Sequence, residues 1–391
     1  MKILTLSNLY PNKVKPTFGI FVENRLKALL ATGEIETMVV SPKPWFPLFR
    51  YLSSEYASLA NIPAFEVREG IKVYYPRYLH IPKLGMLFQP FFMALCLWGL
   101  CRKLRKQGFN FQLIDAHYFY PDGVAASKVG KWLDTPVLIT SRGSDVNEIA
   151  RYPKAKEKML QAAEYASHLV TVSEALRQKL ISLGIAPNKI TTLRNGVDLE
   201  KFRCSFDREA LRKKLGVKGT RVISVGNLIP LKGHHIVIEA IEKIPDAELV
   251  ICGDGPLLSD LKVLAGNLGL SERVIFLGRL GQDALIEQYQ AADVLVLASE
   301  NEGWPNVLLE AMACGASVVA TNVGGVPEIL AGTELGEICQ RTPEDIARSI
   351  RKIMALDTQG EQARSHAEKF SWHETSAGQK RLFMKALDNR E

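Results

Sequence analysis

The stretch from Ala292 to Thr321 reads ADVLVLASENEGWPNVLLEAMACGASVVAT and changes its pattern three times. Ala292 to Ala298 is a short apolar run rich in Val and Leu, the mark of a buried strand. Pro305 suits the first turn of a helix, apolar residues recur at Val307, Leu308, Ala311 and Met312, and Gly315 suits a C-terminal stop. SVVAT then reads as another strand, so the unit is strand, loop, helix, strand. Glu302 falls in the loop and Glu310, eight residues on, falls on the helix. Loops at the carboxyl ends of parallel strands are where open α/β sheets bind ligands. Unpaired N–H groups from about Asn306 onward offer an anion site there. The stretch thus provides a loop acid able to grip a polar ligand, an anion site beside it and a helix acid able to take a diol. Two solvated surface glutamates remain the other reading of these residues taken alone.

The same alternation extends through the chain. Strand-like runs occur at Lys2 to Ser7, Thr37 to Ser41, Leu113 to Ala116, Val137 to Thr140 and His168 to Val172, with helical stretches between several of them. A second series occurs at Arg221 to Val225, Glu248 to Cys252, Val274 to Leu277, Asp293 to Ala298 and Ser317 to Ala320. Two such series imply an α/β protein with two parallel-sheet domains and helices on both faces. The 391 residues suffice for two or three domains. The weakest-patterned connection, Val197 to Thr220, places the division at residues 1–200 and 201–371. A last helix at 372–391 is free to pack back on the first domain, a point the sequence leaves open.

Composition narrows the setting. The six cysteines are scattered with no C-x-x-C pair, which argues against a zinc site or disulfide framework and fits a reducing compartment. MKILTLSNLYPN lacks the long apolar core of a signal peptide and reads as a first strand, so a cytoplasmic location is expected. Residues 1–195 hold 26 Lys and Arg against 14 Asp and Glu, net +12, while the remainder holds 23 against 28, net −5. The basic half therefore wants the more acidic partner. Within it, Phe91 to Lys106 joins an apolar segment to a basic cluster. Gln89-Pro90 is expected to interrupt the run, leaving about eleven apolar residues against the roughly 20 of a membrane span. Two compatible readings remain: a buried helix with a basic end, or an amphipathic helix in peripheral contact with the inner face of the cell membrane. No RNA- or DNA-binding signature is present, so nucleic acid is not an expected partner.

Several templates fail on spacing: there is no D-x-D, no H-E-x-x-H and no G-x-x-x-x-G-K-[ST]. A metal site, an organic cofactor and a nucleoside-triphosphate engine are all disfavoured. GDGP at Gly253 to Pro256 lacks the third glycine of a dinucleotide fingerprint. GNLIPLKGHH, Gly226 to His235, puts Lys232 just past the first strand of the second series as a candidate diphosphate cation, with Gly233 allowing close backbone approach. A solvated lysine in a turn is the bland alternative. His234-His235 lacks acidic or Cys partners at ligand spacing and reads as structural. In the first half, FGIFVENR offers Gly19 for close approach to a phosphate or sugar. DAHYFYPDGVAA puts His117 at a strand end, either to meet a sugar hydroxyl or as a satisfied core histidine. SRGSD ends another strand, with Arg142 free to meet an anion or to pair internally.

Taken together, FGIFVENR, DAHYFYPDG, SRGSD, TVSEAL, LRNGVDLEKF, VGNLIPLKG, FLGRL, the E-x7-E stretch, GGVPE and FSWHE make the chain resemble the family 4 glycosyltransferases over nearly its whole length. That resemblance implies the GT-B architecture of two facing Rossmann-like domains and transfer of a sugar from a nucleotide donor with retention of configuration. It implies that Glu310 accepts hydrogen bonds from the donor ribose, and that Glu302 with the amides of Gly303, Trp304, Asn306 and Val307 holds donor sugar and phosphate. It further places His117 beside the transferred sugar, Lys232 at the diphosphate and Arg279-Leu280 near the nucleobase. Family members usually carry Arg where this chain has Asn227. With one fewer fixed charge, Lys232, Arg142 or Arg279, and the helix amides would have to neutralise the leaving group.

The expectation is a metal-independent retaining glycosyltransferase of cell-surface polysaccharide synthesis. Its donor would be a nucleotide-diphosphate sugar bound by the second domain, and its acceptor a glycan or lipid-linked molecule bound by the basic first domain. The charge asymmetry and the Trp45-Phe46-Pro47-Leu48-Phe49 loop favour an anionic or lipid-linked acceptor. A nucleotide-sugar 2-epimerase and a non-catalytic nucleotide-sugar-binding subunit of a polysaccharide-assembly complex are the alternatives.

Overall fold

The computed structural model describes residues 1–46, 59–80, 85–356 and 360–388. Pro47, Leu48 and Phe49 of the aromatic loop lie outside the described residues. The chain divides into two compact units, one of Met1–Arg194 with Trp372–Glu391 and one of Asn195–Ser371. The crossing comes between 194 and 195 rather than between 200 and 201. Asn195 already belongs with the second unit, where its side-chain amide donates to Asn306 Oδ1 at 3.3 Å, and the Val197 N–H donates to the Phe370 carbonyl.

The first unit is built on strands β1 (Lys2–Leu6), β2 (Glu36–Val40), β4 (Phe65–Arg68), β5 (Ile71–Tyr74), β7 (Leu113–His117), β8 (Val137–Ser141), β9 (His168–Thr171) and β10 (Ile190–Thr192), with a small ribbon of β3 (Lys43–Trp45) and β6 (Arg77–Leu79). The sheet order is β10-β9-β8-β7-β1-β2-β5-β4, parallel except for β4 at the edge. Strands β3 to β6 and β10 have no counterpart among the expected runs, being only three or four residues long and partly exposed. The central strands are the continuous apolar runs of a sheet covered on both faces. The last helix, Trp372–Asp388, sits in this unit: its Phe383 and Ala386 join the core formed by Ile3, Val22, Leu26 and Val39.

The helix Gly85–Lys106 continues through Pro90, so the break in the apolar run there is not a break in the helix. A proline removes the N–H that would satisfy the carbonyl four residues earlier, here Met86. The Tyr120 hydroxyl donates to that carbonyl instead, and Lys158 Nζ donates to the next one, Leu87. Side chains from elsewhere in the unit thus complete the helix end. Among the described residues no helix is long and apolar enough to cross a membrane.

The second unit carries β11 (Thr220–Val225), β12 (Ala247–Cys252), β13 (Val274–Gly278), β14 (Val294–Leu297), β15 (Ser317–Thr321) and β16 (Gly336–Cys339). Their order is β13-β12-β11-β14-β15-β16, all parallel. From β11 the chain winds outward to β12 on one side and later to β14 on the other. The loops after β11 and β14 therefore flank a topological switch point, the crevice where sheets of this kind take ligands. The first sheet has its own switch between β1 and β7.

Candidate active site

At the second unit's switch point, Pro230–Lys232 forms a tight turn after β11 and hands the chain to the helix His234–Glu242 through Gly233. Gly233 has φ 68°, and a Cβ there would run into the Ala298 carbonyl at the end of β14. Only glycine lets the two loops approach so closely. The Glu300 N–H donates to the Leu231 carbonyl at 2.8 Å, and Arg341 ties both loops together, donating from Nε to the Ala298 carbonyl and from Nη2 to the Pro230 carbonyl. Arg341 carries no motif of its own, and nothing in the sequence marks it as this clamp.

That scaffold brings Lys232 Nζ to 2.5 Å from Glu302 Oε1. Ser299 Oγ donates to the same oxygen at 2.7 Å, while Thr321 Oγ1 donates to the Ser299 carbonyl. Both charged side chains keep partial access to solvent. Asn227 is exposed beside them, and the helix Asn306–Ala313 opens immediately after Pro305. The Asn306 and Val307 N–H groups lie in its first turn, where no helical acceptor precedes them. The Gly303 carbonyl accepts from the Gly325 N–H at 3.1 Å, which joins this loop to GGVPE. Trp304 points inward and packs on Phe370, with ring centroids 5.9 Å apart. Its ring therefore shapes the loop from beneath.

Glu310 stands one turn into the helix, where its Oε2 accepts from the Tyr289 hydroxyl at 3.0 Å. Burial raises its carboxyl to about 7, although the Tyr289 hydrogen bond works in the opposite direction. Near neutrality this carboxyl therefore lies close to its titration midpoint. Arg279 is exposed and Leu280 half-buried after β13, at the same carboxyl edge but two strands away from β11.

The first unit treats its predicted residues differently. Gly19 has φ 70° and caps the helix Ile20–Leu30, but the space a Cβ would need is already taken by the Leu9 carbonyl and the Tyr10 N–H. The close approach that demands glycine is thus to the chain's own backbone. His117 is buried, with Nε2 3.1 Å from Asp115 Oδ2 and Nδ1 2.6 Å from Arg142 Nη2. Since a guanidinium only donates, Nδ1 is the accepting nitrogen, and Nε2–H donates to Asp115. Burial holds His117 below its usual range and outweighs the pull of Asp115, so the ring is neutral. Burial alone would raise Asp115, but His117, Arg25 and Arg142 overcome it and leave the carboxyl ionised.

The network continues inward. Gln379 of the last helix donates to Asp115 Oδ2 at 2.6 Å and accepts from Arg25 Nε at 2.8 Å. Gln379 lies some 260 residues from Asp115 in sequence, and no local pattern announces the contact. In SRGSD, Asp145 accepts from the backbone N–H groups of Phe119, Arg142, Gly143 and Val146 and so fixes the turn that presents Arg142. Among the described residues, no group of three or more His, Cys, Asp or Glu is placed to hold a metal ion.

Comparisons with known proteins place the chain as a whole. Residues 25–201 match the model described as Glycosyltransferase Family 4, and residues 207–370 match Glycosyl transferases group 1. TuaC of Bacillus subtilis strain 168, named for teichuronic acid biosynthesis, is 30% identical over 358 residues, covering 90% of this chain and 89% of that protein. Among solved structures, sucrose-phosphate synthase of Thermosynechococcus elongatus superposes with a TM-score of 0.79 at 20% identity, with both chains fully covered. The Anabaena HepE structure in complex with UDP-glucose gives a TM-score of 0.72 at 21% identity, over 98% of this chain and 99% of that one. These two likenesses identify the GT-B fold. With a relative of 30% identity along almost all of both chains, this protein belongs to the family 4 glycosyltransferases and is a glycosyltransferase enzyme.

Proposed function

We propose that the protein is a retaining, metal-independent glycosyltransferase that moves a sugar from a nucleotide-diphosphate donor to a glycan or lipid-linked acceptor in cell-surface polysaccharide synthesis. The observation that carries this reading is the Lys232–Glu302 pair at the switch point of the second sheet, with Glu310 on the helix that opens beside it. Lys232 and the N–H groups of Gly303, Trp304, Asn306 and Val307 hold the diphosphate, Glu302 takes hydroxyls of the donor sugar, and Glu310 takes the ribose. Asn227 and Trp304 shape this pocket, and Arg279 and Leu280 meet the nucleobase. The HepE complex with UDP-glucose, a protein of the same fold, supports a nucleotide-sugar donor.

When donor arrives, the Lys232 ammonium exchanges part of its contact with Glu302 for the phosphate oxygens. As the glycosidic bond breaks, the new negative charge falls on an oxygen already facing a fixed cation and backbone dipoles. Preorganised charge of this kind is usually the largest catalytic term, and here it serves in place of a metal ion. The acceptor hydroxyl attacks from the face the diphosphate leaves, the departing phosphate takes its proton, and configuration is retained.

In the first unit, Arg142 and the Gly19 loop meet anionic or polar groups of the substrates. His117 holds Arg142 in position. The basic first half favours an anionic acceptor, and the teichuronic acid role named for TuaC supports polysaccharide synthesis at the cell surface. The test is saturation-transfer NMR with a panel of nucleotide sugars in EDTA, followed by proton NMR of the product's anomeric signal. One donor should bind selectively, Glu310→Ala should lose it, and the product should keep the donor's configuration. Binding that needs a divalent ion, or an inverted product, would overturn the mechanism.

A further inference from the structure

The helix Gly85–Lys106 buries Met93, Ala94, Leu97, Cys101 and Leu104 against the first unit. Its outer face carries Phe88, Phe91, Leu95 and Trp98, spaced three and four residues apart so that they form one stripe. These side chains are 51%, 44%, 44% and 36% exposed. Trp132, 44% exposed on the helix Val124–Leu133, meets Trp98 edge-on at 6.4 Å. The Arg102 guanidinium lies 4.9 Å over the Trp98 ring and ends the stripe in a cation. Single exposed apolar residues are commonplace, but a contiguous aromatic row marks a binding face.

The surroundings of the stripe are basic. The helices Gly85–Lys106, Val124–Leu133 and Pro153–Tyr165 carry nine Lys and Arg against two Glu, and the first two have no acid at all. Lys158 donates to the Leu87 carbonyl at the start of the stripe, and burial together with Lys128 and Lys154 lowers its pKa. These lysines stand close enough to repel one another.

A second copy of the chain fits this face poorly, because a two-fold contact would set like charge against like charge. An anionic bilayer fits both halves of it. Aromatic side chains settle at the headgroup level, and flanking Lys and Arg gain from a negatively charged leaflet. We infer that this face docks on an anionic lipid bilayer, with Phe88, Phe91, Leu95, Trp98 and Trp132 entering the interface and the surrounding Lys and Arg meeting lipid phosphates. The inference deepens the proposed use of a lipid-linked acceptor, yet its test needs neither donor nor acceptor.

The experiment is co-sedimentation of the full chain with vesicles of phosphatidylcholine, with or without phosphatidylglycerol. Wild type should bind the mixed vesicles at least about tenfold more tightly than the neutral ones, and high salt should remove most of that difference. Phe91→Ser with Trp98→Ser should weaken binding by about tenfold or more, as should Lys103→Glu with Lys131→Glu. Met384→Ser, an exposed apolar position on the last helix, should change nothing. The charge-reversal pair leaves the apolar stripe intact and so keeps the test valid if the serine pair folds poorly. Three results would overturn the inference: no preference for phosphatidylglycerol, equal binding by all variants, or a wild-type dimer in sedimentation velocity that the serine pair abolishes. Donor binding by NMR should be unaffected in every variant, which separates a failure here from a failure of the donor site.

Discussion

Each sheet has a topological switch at its carboxyl edge, between β1 and β7 in the first unit and between β11 and β14 in the second, yet the two crevices are furnished in opposite ways. In the first, Asp115, His117, Asp122, Asp145 and Lys43 are all buried and bond to one another or to backbone. In the second, Asn227 and Arg279 are exposed, Lys232 and Glu302 are half-buried, and a helix opens beside them. Winding order creates a crevice in both cases. Whether polar groups there tie the fold together or wait for a ligand depends on how completely the protein satisfies them itself.

This contrast can be broken experimentally, and the largest effect should come from the second crevice. Lys232→Ala should lower kcat by about a hundredfold to a thousandfold, the usual result of removing one preorganised charge-stabilising group. Stability in urea should change by no more than about 1 kcal/mol, since a partly exposed ion pair contributes little. Near-normal turnover would strip Lys232 of its role.

The first crevice should show the reverse. Gln379→Leu leaves Asp115 and Arg25 each short of a buried partner, at an expected cost of about 1–3 kcal/mol in urea unfolding. Turnover per folded molecule should fall less than about tenfold, because the loss acts on packing first. Full stability with turnover lost would mean that the network is catalytic after all.

A pH titration sharpens the comparison further. The Glu310 carboxyl, raised to about 7 by burial, is protonated below that pH; in its proposed role it then cannot accept from both ribose hydroxyls. Donor affinity should therefore climb as pH rises through about 7, by up to about tenfold per unit on the acid side, and donor uptake should release protons there. Glu310→Gln should flatten the profile, and a wild-type profile with no inflection near 7 would remove the ribose role. The folded state holds this proton more tightly than the unfolded chain does. The contribution of Glu310 to stability is therefore present at acid pH and lost as pH rises from 4.5 through about 7.

The smallest expected effect is that of Tyr289→Phe. Without the hydroxyl that favours the carboxylate, the inflection should move upward by less than about one unit. A downward movement would mean that Tyr289 favours the protonated acid.

Much of the fold could be read in advance because parallel strands covered on both faces are continuous apolar runs, and Val294–Leu297 or Val137–Ser141 need no partner to be recognised. Strands β4 and β5 alternate between buried and exposed positions over only four residues each, too short for a period to stand out. Pro90 is accommodated inside its helix for a related reason. The rule that proline ends a helix is local, and the Tyr120 hydroxyl that satisfies Met86 comes from a distant loop.

What the sequence determined by itself was the alternation of strand and helix, the uneven charge, and the chemistry offered at strand ends, the loops after them and the helix that follows: His117, Lys232, Arg142, Glu302, Glu310. Those features are local, fixed by side-chain type and spacing along the chain. Only the tertiary structure decided that Lys232 meets Glu302, that Glu310 is buried enough to titrate near neutrality, and that His117 faces inward with both ring nitrogens engaged. Strand order and burial set those outcomes, through contacts between residues up to 354 positions apart that no local pattern encodes.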